Sequence, residues 1–160
     1  MPSRNNVQNT HIRRQVRLLH EALIDIVRVM NQPQRDEALI AEAGIPLDRA
    51  LFPLLVGIER RGPIGVVELA DGVGRDYTTV SRQIARLETL GLVERTVGQD
   101  RRVREAAVTA KGKAMTDRVD EARERAGVEV FADWDEREID ELVRLMTKFA
   151  AAITAERPAV

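Results

Sequence analysis

Apolar residues recur at alternating spacings of four and three through Ile12, Val16, Leu19, Leu23, Ile26 and Met30, with arginines and acids between them. That narrow stripe predicts a long helix with a coiled-coil-like seam, ended by Asn31-Gln32-Pro33. A short polar helix over Arg35–Ala43 is expected next, closed by Gly44 and Pro46. Leu51, Leu54, Leu55 and Ile58 predict a further helix with Asp48 as its N-cap. Arg60-Arg61-Gly62-Pro63 ends it, with cations in the last turn and then a breaker pair. Val66–Gly72 reads as a short helix with Val67 and Ala70 facing inward, before a Gly72-Val73-Gly74 turn. Asp76 then caps a helix through Leu90 with Val80, Ile84 and Leu87 on one side, and Gly91 stops it.

The period changes after Gly91. Leu92–Val97 and Val103–Val108 are runs rich in β-branched residues that flank Gly98-Gln99-Asp100-Arg101-Arg102, which predicts a hairpin with a charged tip. Thr109 is the expected cap of a helix reaching about Phe131, with Met115, Val119, Ala122 and Ala126 on one face. Asp135-Glu136-Arg137-Glu138 has the form of a capping box. The last helix carries Ile139, Leu142, Met146, Phe149 and Ile153 at heptad-like spacing. The fold class is therefore mainly α with a small β-hairpin. Residues 47–110 form a compact central lobe, and helical segments at 1–46 and 111–160 both bear narrow seams suited to dimerisation.

Composition narrows the function. The chain has 160 residues, no cysteine and 3% aromatics. Absent thiols exclude disulfide scaffolds, thiolate nucleophiles, zinc fingers and iron–sulfur clusters, and fit a cytoplasmic protein. The polar start, Met1-Pro2-Ser3-Arg4, has no signal-peptide character, and no apolar run nears the ~18 residues that span a bilayer, so no membrane partner is expected. Net charge is −1 but unevenly spread. Residues 75–113 hold nine basic and five acidic side chains, whereas 114–160 hold seven basic and twelve acidic. A basic stretch in a near-neutral chain concentrates positive field on one face. The plainer reading is a solvated surface of mixed charge.

Val66–Leu90 has the parts of a helix–turn–helix: two short helices, a glycine turn and a small Ala70 at the close approach. With Val80, Ile84 and Leu87 inward, the second helix leaves Tyr77, Thr78, Thr79, Ser81, Arg82 and Arg86 outside. Hydroxyls and guanidinium groups bond base edges or phosphates, and helix N-terminal amides favour phosphate. A hairpin tipped by Arg101 and Arg102 directly after such a helix makes a winged helix. Those arginines suit a minor groove narrowed by A·T-rich sequence, with Asp100 holding one of them extended. The competing reading of the tip is an exposed polar turn without a role.

At these residues the chain resembles the MarR family of transcriptional regulators. The resemblance is carried by Glu68-Leu69-Ala70, Thr79-Val80-Ser81-Arg82, Leu87-Glu88-Thr89-Leu90-Gly91-Leu92-Val93-Glu94-Arg95, Asp100-Arg101-Arg102 and Thr109-Ala110-Lys111-Gly112. These stand in the family's order over Asp48–Lys113, and the flanking helices match its dimerisation helices in kind. The resemblance implies a homodimeric winged-helix repressor or activator on double-stranded DNA. The recognition helix would enter the major groove and the wing the adjacent minor groove. It also implies a small-molecule effector, aromatic or anionic, between the dimerisation helices and the DNA-binding lobe. Thr78, Thr79, Ser81 and Arg82 would be groove or phosphate contacts, and Asp100 and Arg102 the Asp-x-Arg wing pair. Arg95 would contact the DNA backbone or form the base of the wing. The chain departs from many members at Gly98-Gln99, before the wing aspartate, and at Val108, where many have Leu.

No enzyme is expected, and neither a metal nor a cofactor. His11 and His20 lie nine residues apart on one helix and do not stack as a metal pair. No P-loop, G-x-G-x-x-G or G-x-S-x-G is present, and Gly72-Val73-Gly74 is better explained by a turn. The acidic run from Asp133 to Glu141 reads as a helix start complementing the dipole rather than a cation site. Trp134 and Phe52 are expected in the core rather than in an effector pocket. The alternative function is a winged-helix protein-interaction module, or a helical dimer, without specific DNA binding.

Overall fold

The computed structural model describes residues 4–98 and 104–155, with side chains from residue 9 onward. The chain divides into two compact units, Met1–Asp120 and Glu121–Val160.

The first unit opens with α1 (Arg4–Met30) and α2 (Pro33–Glu42), the latter started by Pro33 at a position where its missing N–H costs nothing. α3 (Phe52–Arg61) begins four residues after the expected cap. Asp48 is not its N-cap. Its carboxylate accepts the Ala50 N–H at 2.8 Å and closes a separate turn, while Leu51 holds the cap position without a side-chain bond. Pro53 explains the shift, because its ring is tolerated only in a helix's first turn.

α4 (Val66–Val73) also departs from expectation. Val66, Leu69 and Ala70 are buried, whereas Val67 is 62% exposed. The buried stripe starts one residue earlier than expected, and one residue of helix turns a side chain by about 100°. Gly74 then takes the left-handed conformation, with φ 64°, that lets the chain reverse into α5 (Tyr77–Thr89). As expected, α5 buries Val80, Ile84 and Leu87 completely, against a core that includes Leu54, Leu55, Ile58 and Leu69.

The hairpin consists of β2 (Val93–Val97) and β3 (Arg104–Val108), paired antiparallel with Arg95 opposite Ala106. A third strand, β1 (Ile64–Gly65), pairs with the other edge of β3, giving the order β1-β3-β2. Two residues cannot display strand alternation, so β1 has no sequence signature. Its buried Ile64, opposite Ala106 in the middle of β3, ties the hairpin to the helical core.

α6 (Ala110–Val130) starts where expected. The Thr109 hydroxyl accepts the Gly112 N–H at 3.0 Å and donates to the Gly91 carbonyl at 2.7 Å. Its inward face is Gly112, Thr116, Val119 and Ala122; Met115 is only half-buried and Ala126 is exposed. Gly112 sets this rotation. A Cβ there would run into the Leu92 carbonyl and lie 2.7 Å from Val108 Cγ2, so a bare α-carbon lets the helix seat on the hairpin base.

In the second unit, the capping box forms as predicted at the start of α7 (Glu136–Thr154). Asp135 Oδ1 accepts the Glu138 N–H at 2.9 Å, and Glu138 Oε2 accepts the Asp135 N–H at 3.1 Å. Trp134 is not a core residue. It is 44% exposed and meets Phe131 edge-on, with centroids 5.3 Å apart. Phe52 is buried as expected. α7 has no fully buried residue, and Val143, Met146 and Ile153 on it are exposed, as are Ile12, Val16 and Met30 on α1. Among the described residues, no helix is long and apolar enough to cross a membrane.

Candidate nucleic-acid interface

The outer surface of α5 begins at Asp76, whose carboxylate accepts the Thr79 N–H at 2.8 Å. Hydrogen bonding from the Thr79 side chain, and then from its backbone N–H, holds the Asp76 carboxyl below its ordinary range, with a further contribution from the Arg82 charge. The cap satisfies one of the first amides of the helix and leaves others facing outward. Tyr77 and Thr78 are exposed in this first turn, and Thr79 and Ser81 are half-buried. Arg82 is exposed and turns its Nε back toward the Thr78 carbonyl at 3.4 Å; among the described residues it forms no ion pair. An exposed guanidinium, the hydroxyls of Tyr77, Thr78, Thr79 and Ser81 and a helix N-terminus thus share one end of α5. That set can donate to phosphate and exchange hydrogen bonds with base edges.

Two of the sequence-nominated arginines are already engaged. Arg86 Nη1 lies 3.4 Å from Asp48 Oδ2, in an exposed pair. Arg95, on β2, donates from Nε to Glu88 Oε2 at 3.0 Å, joining the hairpin to α5. Asp100, Arg101 and Arg102 lie outside the described residues.

Sequence reasoning missed Arg75. Its Nη1 donates to the Ala50 carbonyl at 2.7 Å and to Gln83 Oε1 at 3.0 Å. Glu88 and Asp48 were likewise not nominated as partners of the arginines. Their partners stand 7 and 38 residues away, across turns that no periodicity connects. Lys111 was missed as well; its Nζ donates to the Leu90 carbonyl at 2.8 Å and helps fix the start of α6 to the end of α5.

Among the described residues no group of three or more His, Cys, Asp or Glu side chains is placed to hold a metal ion. His11 and His20 are both exposed on α1.

A protein-family model described as HVO_A0114 matches residues 49–107, which run from the turn before α3 through most of β3. No curated protein matches the chain. Solved structures do. A MarR family protein from Bacillus stearothermophilus is 25% identical with a TM-score of 0.71, over 89% of this chain and 97% of that one. RV1404 from Mycobacterium tuberculosis is also 25% identical, with a TM-score of 0.64 over 90% and 97% of the two chains. A MarR transcriptional regulator from Methanosarcina mazei Go1 shares 23% identity and a TM-score of 0.60, over 86% and 99%. The likeness covers the helical ends as well as the winged lobe.

Proposed function

We propose that this chain, which has the winged-helix fold of solved MarR family proteins, is a sequence-specific, DNA-binding transcriptional regulator rather than an enzyme. The observation that carries this reading is the outer end of α5. Exposed Thr78 and Arg82 sit beside a capped helix N-terminus, on a helix that buries Val80, Ile84 and Leu87 and is followed at once by an antiparallel hairpin. A helix held this way presents its first two turns to a major groove.

The DNA-binding lobe is 47–110. Tyr77, Thr78, Thr79, Ser81, Arg82 and Arg86 contact the major groove and its phosphates, and Asp100, Arg101 and Arg102 supply the minor-groove contacts expected from the sequence. Arg95 supports the wing from its base. Segments 1–46 and 111–160 dimerise, since two-fold pairing covers apolar residues on α1 and α7 that the single chain leaves exposed. The homodimer reads a pseudo-palindrome with half-sites about one helical turn, ~10 base pairs, apart. Repression, with release by a small aromatic or anionic ligand, is proposed from the family resemblance alone.

The deciding experiment is selection of binding sites from random duplexes at stated salt concentrations. Enrichment of a two-fold symmetric site, with affinity that falls as salt rises, supports the proposal. Recovery of no preferred sequence favours a protein-interaction or dimerisation module instead.

A further inference from the structure

The turn at 48–51 holds α5 at two separate points. Within the turn, Ala50 donates its N–H to Asp48 Oδ1 at 2.8 Å, which fixes the direction of the peptide groups around it. The Ala50 carbonyl accepts from Arg75 Nη1 at 2.7 Å, and that same nitrogen donates to Gln83 Oε1, in the second turn of α5, at 3.0 Å. The free oxygen of the Asp48 carboxylate meets Arg86 Nη1, farther along α5, at 3.4 Å. Arg75 is itself anchored, because its backbone N–H donates to the Ala70 carbonyl at 3.0 Å in the turn that leaves α4.

Resting on the reading of α5 as the recognition helix, we propose that Arg75 is a positioning residue that sets the rotation and tilt of α5. It governs how well the outer face of α5 fits its site without touching DNA. Three features carry this. The guanidinium nitrogen is committed to two neutral acceptors, one a backbone carbonyl outside α5 and one a side chain on it, so it bridges the helix to a fixed point. Arg75 and Gln83 are half-buried, in contrast to the exposed Arg82. The clamp lies at the N-terminal end of α5, the end that carries Thr78, Thr79, Ser81 and Arg82. A small rotation there displaces every one of those groups together.

Neither acceptor neutralises the arginine, so its full charge persists and a direct phosphate contact is the rival role. Counterion release separates the two. A phosphate contact contributes about 0.9 to the slope of log affinity against log salt, whereas a positioning residue contributes none.

The test measures affinity of the full chain for its selected duplex and for a scrambled duplex, across a salt series. The variants are Arg75→Ala, Arg75→Lys, Gln83→Ala, Arg75→Ala with Gln83→Ala, and Arg82→Ala. Arg75→Ala is expected to lose about tenfold on the selected duplex and little on the scrambled one, with the salt slope unchanged, a loss on the scale of one or two hydrogen bonds to a charged group. Gln83→Ala should lose less, and the double variant no more than Arg75→Ala, because the two act through one nitrogen. Arg75→Lys should recover only part of the loss, since an ammonium keeps the charge but not the fork. Because Arg75→Ala removes a bridge between elements, its melting temperature is measured alongside, and Gln83→Ala and Arg75→Lys carry the test if it unfolds. A salt slope reduced as in Arg82→Ala overturns the proposal in favour of a phosphate contact. An unchanged ratio of selected to scrambled affinity in all the Arg75 and Gln83 variants overturns it outright. Failure of the unsubstituted chain to prefer any duplex overturns the DNA-binding reading beneath it.

Discussion

Arg95 Nε donates to Glu88 Oε2 at 3.0 Å, and the two side chains are 28% and 31% exposed. The pair crosses the Gly91 turn and locks the first strand of the hairpin to the last turns of α5. On the proposed reading, this half-buried pair makes Arg95 a brace between the hairpin and α5 rather than a phosphate contact. Arg95→Ala and Glu88→Ala should each cost about 1 kcal/mol or less, as expected of a partly exposed pair. The double variant should cost little more than either one. Denaturant titration of the three variants checks this. A reduced salt slope of DNA binding in Arg95→Ala would return Arg95 to the phosphate contacts.

Arg82 should behave oppositely. Its guanidinium is exposed at the start of α5, so Arg82→Ala should leave the melting temperature nearly unchanged and weaken binding to all duplexes alike. The salt slope should fall by about 0.9 for each phosphate that the arginine no longer neutralises, twice per dimer. Thr79→Ala and Ser81→Ala should instead change which bases are preferred, as read by repeated site selection. Unaltered preference in both would remove the hydroxyls from the groove.

Gly112→Ala should destabilise the winged lobe. The added Cβ meets the Leu92 carbonyl and Val108 Cγ2, both on the hairpin base, and neither is a flexible side-chain tip. Overpacking of this kind costs about 1–3 kcal/mol. Chemical denaturation should show the loss, while an alanine at Gly127, where a Cβ meets nothing within 4 Å, should be tolerated.

The Asp76 cap gives α5 a pH dependence of known sign. Its carboxyl titrates below the ordinary 3.8, so the folded state favours the charged form. The stabilisation is therefore complete above that ordinary value and disappears as pH falls through the lower, folded one. The melting-temperature gap between the natural chain and Asp76→Ala should be constant from neutral pH to about pH 5. It should then narrow in more acid solution. A gap independent of pH throughout would mean that the protonated carboxyl caps equally well.

Exposed apolar residues on α1 and α7 should be covered by a second copy. Val16 and Ile153 are 57% and 65% exposed in the single chain. Light scattering should show a dimer at micromolar concentration, and Val16→Glu with Ile153→Glu should shift it toward monomer. A stable monomer of the natural chain under those conditions would refute the dimer.

Local chemistry made most of the lobe legible before any fold was known. The apolar triplet Val80, Ile84 and Leu87, with Asp76 before it and Gly91 after it, specified both the limits of α5 and its outward face, because caps and the helical period act within a few residues. The same holds for Thr109 and the Asp135 capping box. Tertiary structure decided what depends on neighbours distant in sequence. Pro53 and the Asp48 turn moved the start of α3, Val66 rather than Val67 found the core, and β1 exists only because β3 offers it a partner. It also decided which arginines are committed. Arg75, Arg86 and Arg95 differ little as letters, yet the first bridges Ala50 to Gln83, the second meets Asp48 and the third meets Glu88. A charged side chain's role is set by the acceptors that folding brings within about 3 Å of it, and no spacing along the chain encodes those.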